Sequence, residues 1–278
     1  MLWQTTRFTL DLSTPKVMGI VNVTPDSFSD GGSHVSAHAA LRHCEQLLAE
    51  GADILDIGGE SSRPGAPSLS VEEEWRRVEP VLQGALQLNA PISLDTCKTE
   101  VMQRALDLGV DILNDIQALR APGAQAAVAA HGQCGVCLMH MQGDPSSMQS
   151  QPSYADVIDE VSSFLQARTQ ALTELGVAAN RICLDPGIGF GKTPEHNLTL
   201  LRRQRELLLL GHPLLVGWSR KSTLGLVTGK PVGERLAASL AAALASVRQG
   251  AHVVRVHDVA STVDALKVWA AAGIASNS

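Results

Sequence analysis

The chain has 278 residues, with 22 Lys plus Arg against 28 Asp plus Glu, a formal net charge of −6. This acidic balance, with aromatics at only 3%, excludes a nucleic-acid binder, which needs a basic face for phosphates and rings to stack on bases. Charged residues at 18% and hydrophobic ones at 45% specify a folded protein whose core is built from Ala, Val, Leu and Ile. The five cysteines are scattered and odd in number, which fits a reducing compartment better than a disulfide framework. The N-terminal stretch MLWQTTRFTLDLS lacks an apolar leader. The longest apolar run, Leu236–Val247, is 12 residues, short of the ~20 needed to span a bilayer. A cytoplasmic protein without membrane contact is expected.

The chain then reads as a repeat. FTLDLS, before Val17, predicts a short strand or hairpin. Runs of β-branched and apolar residues predict strands at Val17–Val23, Ile54–Gly58, Ile92–Asp95, Ile112–Asp115, Gly135–His140, Ile182–Asp185, Leu214–Trp218 and His252–His257. Between them lie helical patterns, among them 37–50, 71–88 and 262–273. These eight strands start roughly 34 residues apart with no linker or shift in composition, which predicts one (β/α)8 TIM barrel over residues 1–278. The N-terminal hairpin would plug its bottom.

Polar residues gather at one end of these strands. Asn22, Asp56, Asp95, Asn114, Asp115, His140, Asp185, Arg255 and His257 all fall at or near a strand's C-terminal end, the rim where barrel enzymes build their sites. Any one of them alone could simply cap the following helix. In VVRVHDV, Arg255 and His257 are two apart and share a face, and SRKS at 219–222 adds Arg220 and Lys221. An inward Arg either pairs with a carboxylate such as Asp185 or meets an anionic ligand. A cationic pocket on an acidic protein suits a small phosphorylated substrate.

Two motifs mislead. GIGFGKT at 187–193 resembles a phosphate loop, but Pro186 stands where a Walker loop requires Gly. The spacing His131, Cys134, Cys137, His140 suggests a metal cluster, yet strand residues three apart face opposite ways. His140 remains a site candidate by its place near the rim. Two loops rich in Gly, Pro and Ser, 22–32 and 58–68, are long enough to carry function.

Taken together, VMGIVNVTPDSFSDGG (17–32), GADILDIGGESSRPGA (51–66), ISLDTCK (92–98), ILNDI (112–116), VCLMHMQGDPSSMQ (136–149), LDPGIGFGKTPEHN (184–197), LLVGWSRKS (214–222) and VVRVHDV (253–259) resemble the dihydropteroate synthase family. The resemblance implies condensation of 6-hydroxymethyl-7,8-dihydropterin diphosphate with 4-aminobenzoate to 7,8-dihydropteroate and pyrophosphate. It implies catalytic roles for Asp95, Asp185, Lys221 and Arg255, and a pterin pocket of Asp95, Asn114, Met139, Asp185, Gly217 and Lys221. It further implies a diphosphate clamp of Asn22, Ser61, Ser62, Arg63, Arg255 and His257, with Mg2+ held by Asn22. Phe28, Ser62, Pro64, Phe190, Lys221 and Ser222 would take the aminobenzoate, and the protein would be a homodimer and a sulfonamide target. Ser62, Cys97 and Trp218 depart from the commoner Thr, Ser and Met. A related methyl-tetrahydrofolate methyltransferase would share Asp95, Asn114 and Asp185 but lack SRKS and the Arg-x-His pair. A non-catalytic pterin binder should have lost Asn22, Asp185, Lys221 or Arg255, all of which are present.

Overall fold

A computed structural model describes residues 1–23, 33–61, 68–144 and 147–273. It opens with an antiparallel hairpin of β1 (Leu2–Gln4) and β2 (Thr9–Asp11). Eight parallel strands follow: β3 (Lys16–Asn22), β4 (Ile54–Gly58), β5 (Ile92–Asp95), β6 (Ile112–Asp115), β7 (Gly135–Met139), β8 (Ile182–Asp185), β9 (Leu215–Val216) and β10 (Val253–Val256). Each pairs with its neighbour in sequence. β10 returns to β3, and a Leu184–Leu214 bridge joins β8 to the residue before β9, so the sheet closes on itself.

Helices α1 (Ser33–Ala49), α2 (Val71–Ala85), α3 (Thr99–Leu108), α4 (Ala124–His131), α5 (Val157–Glu174), α6 (Pro194–Arg202), α7 (Ser222–Thr228), α8 (Leu236–Arg248) and α9 (Val259–Ala271) fill the connections. The architecture is the expected (β/α)8 barrel. Strand β9 is shorter than the expected Leu214–Trp218, because Lys221 N–H bonds back to Trp218 O at 3.1 Å and the chain turns there. Helix α2 stops at Ala85 rather than 88, where the Leu86 N–H caps Leu82 and Gly84.

Alternation along the strands sorts side chains into two layers. Outward residues such as Val21, Leu55, Ile57, Leu94, Val136 and Val254 pack against the helices in the main core. Inward residues at the strands' beginnings form a second cluster, among them Met18, Ile54, Ile112, Cys137, Cys183 and Val253. The hairpin closes that cluster from below. Trp3 is fully buried in it, and its indole N–H donates to Arg181 O at 3.0 Å. Arg7, between β1 and β2, locks the hairpin to the barrel by an ion pair of 2.6 Å with buried Asp111. Cys134 lies in the outer layer and Cys137 in the inner one, so the two do not share a metal.

Candidate active site

Two residues further along the strands, the inward positions turn polar. Five strands set Asp56, Asp95, Asn114, Asp185 and Arg255 around the barrel axis above the apolar plug. Arg255 Nε donates to Asp56 Oδ2 at 2.6 Å and its Nη2 to Asp95 Oδ2 at 2.8 Å. Asn114 Nδ2 donates to the same Asp56 oxygen at 3.1 Å. One guanidinium therefore serves two carboxylates, and the partners are Asp56 and Asp95 rather than the expected Asp185. Burial pushes Asp95 up to about 7, against the pull of Arg255 and with the Asp56 charge adding to the rise. Asp185 is also pushed up by burial, to about 6, while its Oδ1 accepts the Gly187 N–H at 2.7 Å.

The mouth above this floor has a cation on an aromatic ring. Lys221 follows Arg220, which occupies the left-handed region at φ 61°, and stands at the N-terminus of α7. Its Nζ lies 4.1 Å from the centroid of the Phe190 ring, a cation–π geometry. Burial and the nearby Arg255 charge lower Lys221 to about 8. An apolar cluster continues from that ring: Met139 packs with Ile116, Met141 and Met148, with Cys97 and Phe190 against them. At Gly217 an added Cβ would come no closer than 3.9 Å to Arg255, so the absent side chain leaves the mouth open there.

The remaining rim residues divide. Asn22 ends β3 half-buried on the inward parity, Ser61 follows β4, and Ser222 opens α7 in an exposed position. His257 sits just past β10 with Nδ1 2.9 Å from Ser219 Oγ. Burial lowers it to about 3, so it is a neutral imidazole at pH 7. Phe28, Ser62, Arg63 and Pro64 lie outside the described residues.

Three rim candidates face away from the site. His140 shares the outward parity of Cys134, Val136 and Leu138, and packs edge-on against Phe164 of α5 at 5.0 Å. Asp115 likewise points outward, and its carboxylate accepts the N–H groups of Gln117 and Leu119 at 2.7 Å each. Arg220 turns to the surface, where it pairs with Asp258 at 2.6 Å, so of the basic pair in SRKS only Lys221 reaches the mouth.

Comparisons with known proteins agree with this arrangement. The family model for pterin binding enzymes matches residues 18–257, from the start of the barrel to its last strand. Dihydropteroate synthase from Neisseria meningitidis serogroup B is 56% identical over 279 residues, covering 98% of each chain. Among solved structures, Xanthomonas albilineans dihydropteroate synthase with 4-aminobenzoic acid superposes with a TM-score of 0.90 at 50% identity, covering 95% of both chains. Burkholderia cenocepacia dihydropteroate synthase complexed with 7,8-dihydropteroate has the same TM-score of 0.90 at 49% identity, covering 98% of this chain and 96% of that one. The chain belongs to the dihydropteroate synthases.

Two of the three departures from the family pattern now have a place. Trp218 faces the helices from the outward layer, 2% exposed, so it does not narrow the mouth. Cys97 packs against the Met139 cluster, and burial pushes its thiol up to about 12, leaving a neutral side chain. The third, Ser62, lies outside the described residues. Asp56 is the functional residue missing from the set implied by the resemblance. Its strand-end position marked it in the sequence, but only barrel closure brings it against Arg255 and Asn114. Among the described residues no group of three or more His, Cys, Asp or Glu could hold a metal ion by itself.

Proposed function

We propose that this dihydropteroate synthase condenses 6-hydroxymethyl-7,8-dihydropterin diphosphate with 4-aminobenzoate, releasing 7,8-dihydropteroate and pyrophosphate. The observation that carries the reading is the ring of inward hydrogen-bonding groups, Asp95, Asn114 and Asp185, set beneath Lys221. Carboxylates and an amide on rigid strands match a flat heterocycle whose edge alternates donors and acceptors. Met139 and the Gly217 opening give that ring an apolar wall and room. Arg255 supplies positive charge on the diphosphate side, with His257 as a neutral donor, and Lys221 reaches the pterin and the aminobenzoate. Phe190 and Ser222 flank the aminobenzoate, and Phe28, Ser61, Ser62, Arg63 and Pro64 complete the assignment from the two long loops.

The chemistry needs little acid–base help. The C–O bond to diphosphate breaks and the methylene carbon bonds to the aniline nitrogen, which is neutral at pH 7 and sheds one proton afterwards. The demand is to stabilise the departing diphosphate and the positive charge left on the pterin methylene. Ionised Asp95 and Asp185 favour that cation, and Arg255 favours the leaving group. The Asn22 side-chain oxygen, a hard donor on the inward parity of the rim, would hold Mg2+ together with diphosphate oxygens and water. Bound there, the ion would neutralise charge on the leaving group.

The test is pyrophosphate release with and without 4-aminobenzoate, and with Mg2+ or EDTA. Release that needs both aminobenzoate and Mg2+ supports the assignment. Pterin binding without turnover would refute the synthase and leave a binding protein. The same site would take sulfonamides as aminobenzoate analogues.

A homodimer is also part of this reading. Leu226, Val227, Val232, Leu236 and Val268, on and between the last helices, are large apolar side chains left exposed. A second copy covering α7 to α9 would bury them, and sedimentation of Leu226→Glu against the native protein tests it. No helix among the described residues is long and apolar enough to cross a membrane. The five free cysteines support a cytoplasmic location.

A further inference from the structure

The lysine of GIGFGKT serves neither a phosphate nor the mouth. Lys192 is 2% exposed and turned into the protein. Its Nζ donates to Phe190 O at 3.0 Å, Gly187 O at 3.1 Å and His140 O at 3.3 Å, and lies 2.9 Å from His140 Nδ1. No carboxylate among the described residues pairs with it. An ammonium in such a place costs desolvation, and burial lowers Lys192 to about 7. What it obtains in exchange is a cage of main-chain carbonyls. His140 suits the cage as a neutral ring, its own charged form suppressed by burial and by Lys192.

The caged segment is the one that carries the site. Gly187, Gly189 and Gly191 all have left-handed φ, which bends residues 187–191 around the ammonium. The segment is pressed on the end of β7 so closely that a Cβ on Gly187 would fall 1.9 Å from His140 O. From its outer side it presents the Phe190 ring to Lys221 Nζ, and Gly189 lies against the Lys221 side chain. Convergent carbonyls repel one another. A cation among them removes that repulsion and fixes the segment, which follows β8, against the end of β7.

We propose that Lys192 is a positioning residue for the reaction, gathering the Gly187 and Phe190 carbonyls onto His140 so that Phe190 and Lys221 hold the aminobenzoate side of the mouth. It touches no substrate. The proposal rests on the function assigned above and adds a determinant of aminobenzoate affinity that lies behind the site.

The experiment compares Lys192→Met, Lys192→Gln, Phe190→Leu and the Lys192→Met/Phe190→Leu double variant by steady-state kinetics. Lys192→Met is expected to raise KM for 4-aminobenzoate at least fivefold while KM for the pterin diphosphate moves less than twofold. Lys192→Gln, whose amide NH2 keeps two of the N–H donors, should recover part of the loss. In the double variant the two effects should not multiply, because both act through Phe190. A lower kcat with both KM values unchanged, or fully multiplicative effects, overturns the proposal. If Lys192→Met does not fold, the glutamine variant is read by the same criteria. Misfolding of both also overturns it, since Lys192 would then hold the barrel as a whole. If the native protein itself shows no aminobenzoate-dependent turnover, the assigned function fails separately. Hydrogen exchange then decides for Lys192: selective loss of protection at 187–191 in a variant supports the cage, and unchanged protection refutes it.

Discussion

Arg255 and Asp56 lie 199 positions apart in the chain and meet across the barrel at 2.6 Å, in a site where Asp56 is fully buried. The pair is more than a closure contact. Asp56 also accepts from Asn114, so it fixes two groups of the proposed substrate site. Removing Asp56 leaves Arg255 with Asp95 as its remaining carboxylate and takes away the acceptor of Asn114, at a cost of about 1–3 kcal/mol. Asp56→Ala is therefore expected to lower both stability and turnover. Asp56→Asn keeps an acceptor, so it should retain the fold and lose about tenfold in kcat/KM for the pterin diphosphate. Thermal melts and initial rates on the two variants check this, and native kinetics in Asp56→Asn would refute it.

Asp185 and Lys221 belong to the reacting side. Asp185→Asn and Lys221→Ala should each cut turnover at least tenfold without unfolding the protein. Near-normal rates in both would remove the assigned site.

Asp185 also makes a prediction about stability, with an unusual sign. Burial raises its pKa from 3.8 to about 6, so the folded state holds the proton more tightly than the unfolded chain. The associated stability is fully present below about pH 4 and is lost as pH rises through about 6, a difference of roughly 3 kcal/mol. At pH 7 the ionised carboxylate thus costs stability while it serves catalysis. Asp185→Asn should melt at or above the native temperature at pH 7, and lose that advantage when both are melted near pH 4. A lower melting temperature at pH 7 would contradict the assignment.

The rim was legible because period-two alternation survives in short apolar strands: Asp95, Asn114, Asp185 and Arg255 all stand inward where the pattern puts them. The same parity, carried one residue further, places His140, Asp115 and Trp218 outside, and nearness to the rim obscured it for the first two. The partner of Arg255 was not legible, since carboxylates stand at or near the ends of four strands and only the closed register chooses among them. Lys192 was hidden for a different reason. A Gly-Lys-Thr run looks like a phosphate loop, whereas here left-handed glycines bend the loop so that the Gly187 and Phe190 carbonyls face the lysine.

The pH profile should reflect groups at both ends of the reaction. Asp95 is held at about 7 and must be ionised to favour a cationic pterin, so kcat/KM should fall as pH drops below that value. Lys221, lowered to about 8, loses its charge as pH rises through that value, which should weaken its hold on the two substrates on the alkaline limb. The result is a bell with its maximum between about 7 and 8. Asp95→Asn should lower the whole profile and flatten its acid limb, leaving Asp185 as the remaining acid group. Lys221→Arg should move the alkaline limb upward in pH. An alkaline limb unmoved in Lys221→Arg would assign that titration to another group.

The hairpin provides the contrasting case, a residue that matters for folding alone. Trp3 fills the bottom of the barrel and makes one hydrogen bond to Arg181, with the apolar inner layer between it and the polar ring. Truncating a fully buried Trp removes its contacts and opens a cavity, at about 3–5 kcal/mol. Spread over a chain of this size, each kcal/mol moves the melting temperature by roughly 2–4 °C, so Trp3→Ala should melt roughly 6–20 °C lower. Below that transition its KM for both substrates should match the native protein, because the strand ends that carry Asp95, Asn114 and Asp185 are braced independently by the outer core. A changed KM at a temperature where Trp3→Ala is folded would show that the plug sets the geometry of the mouth.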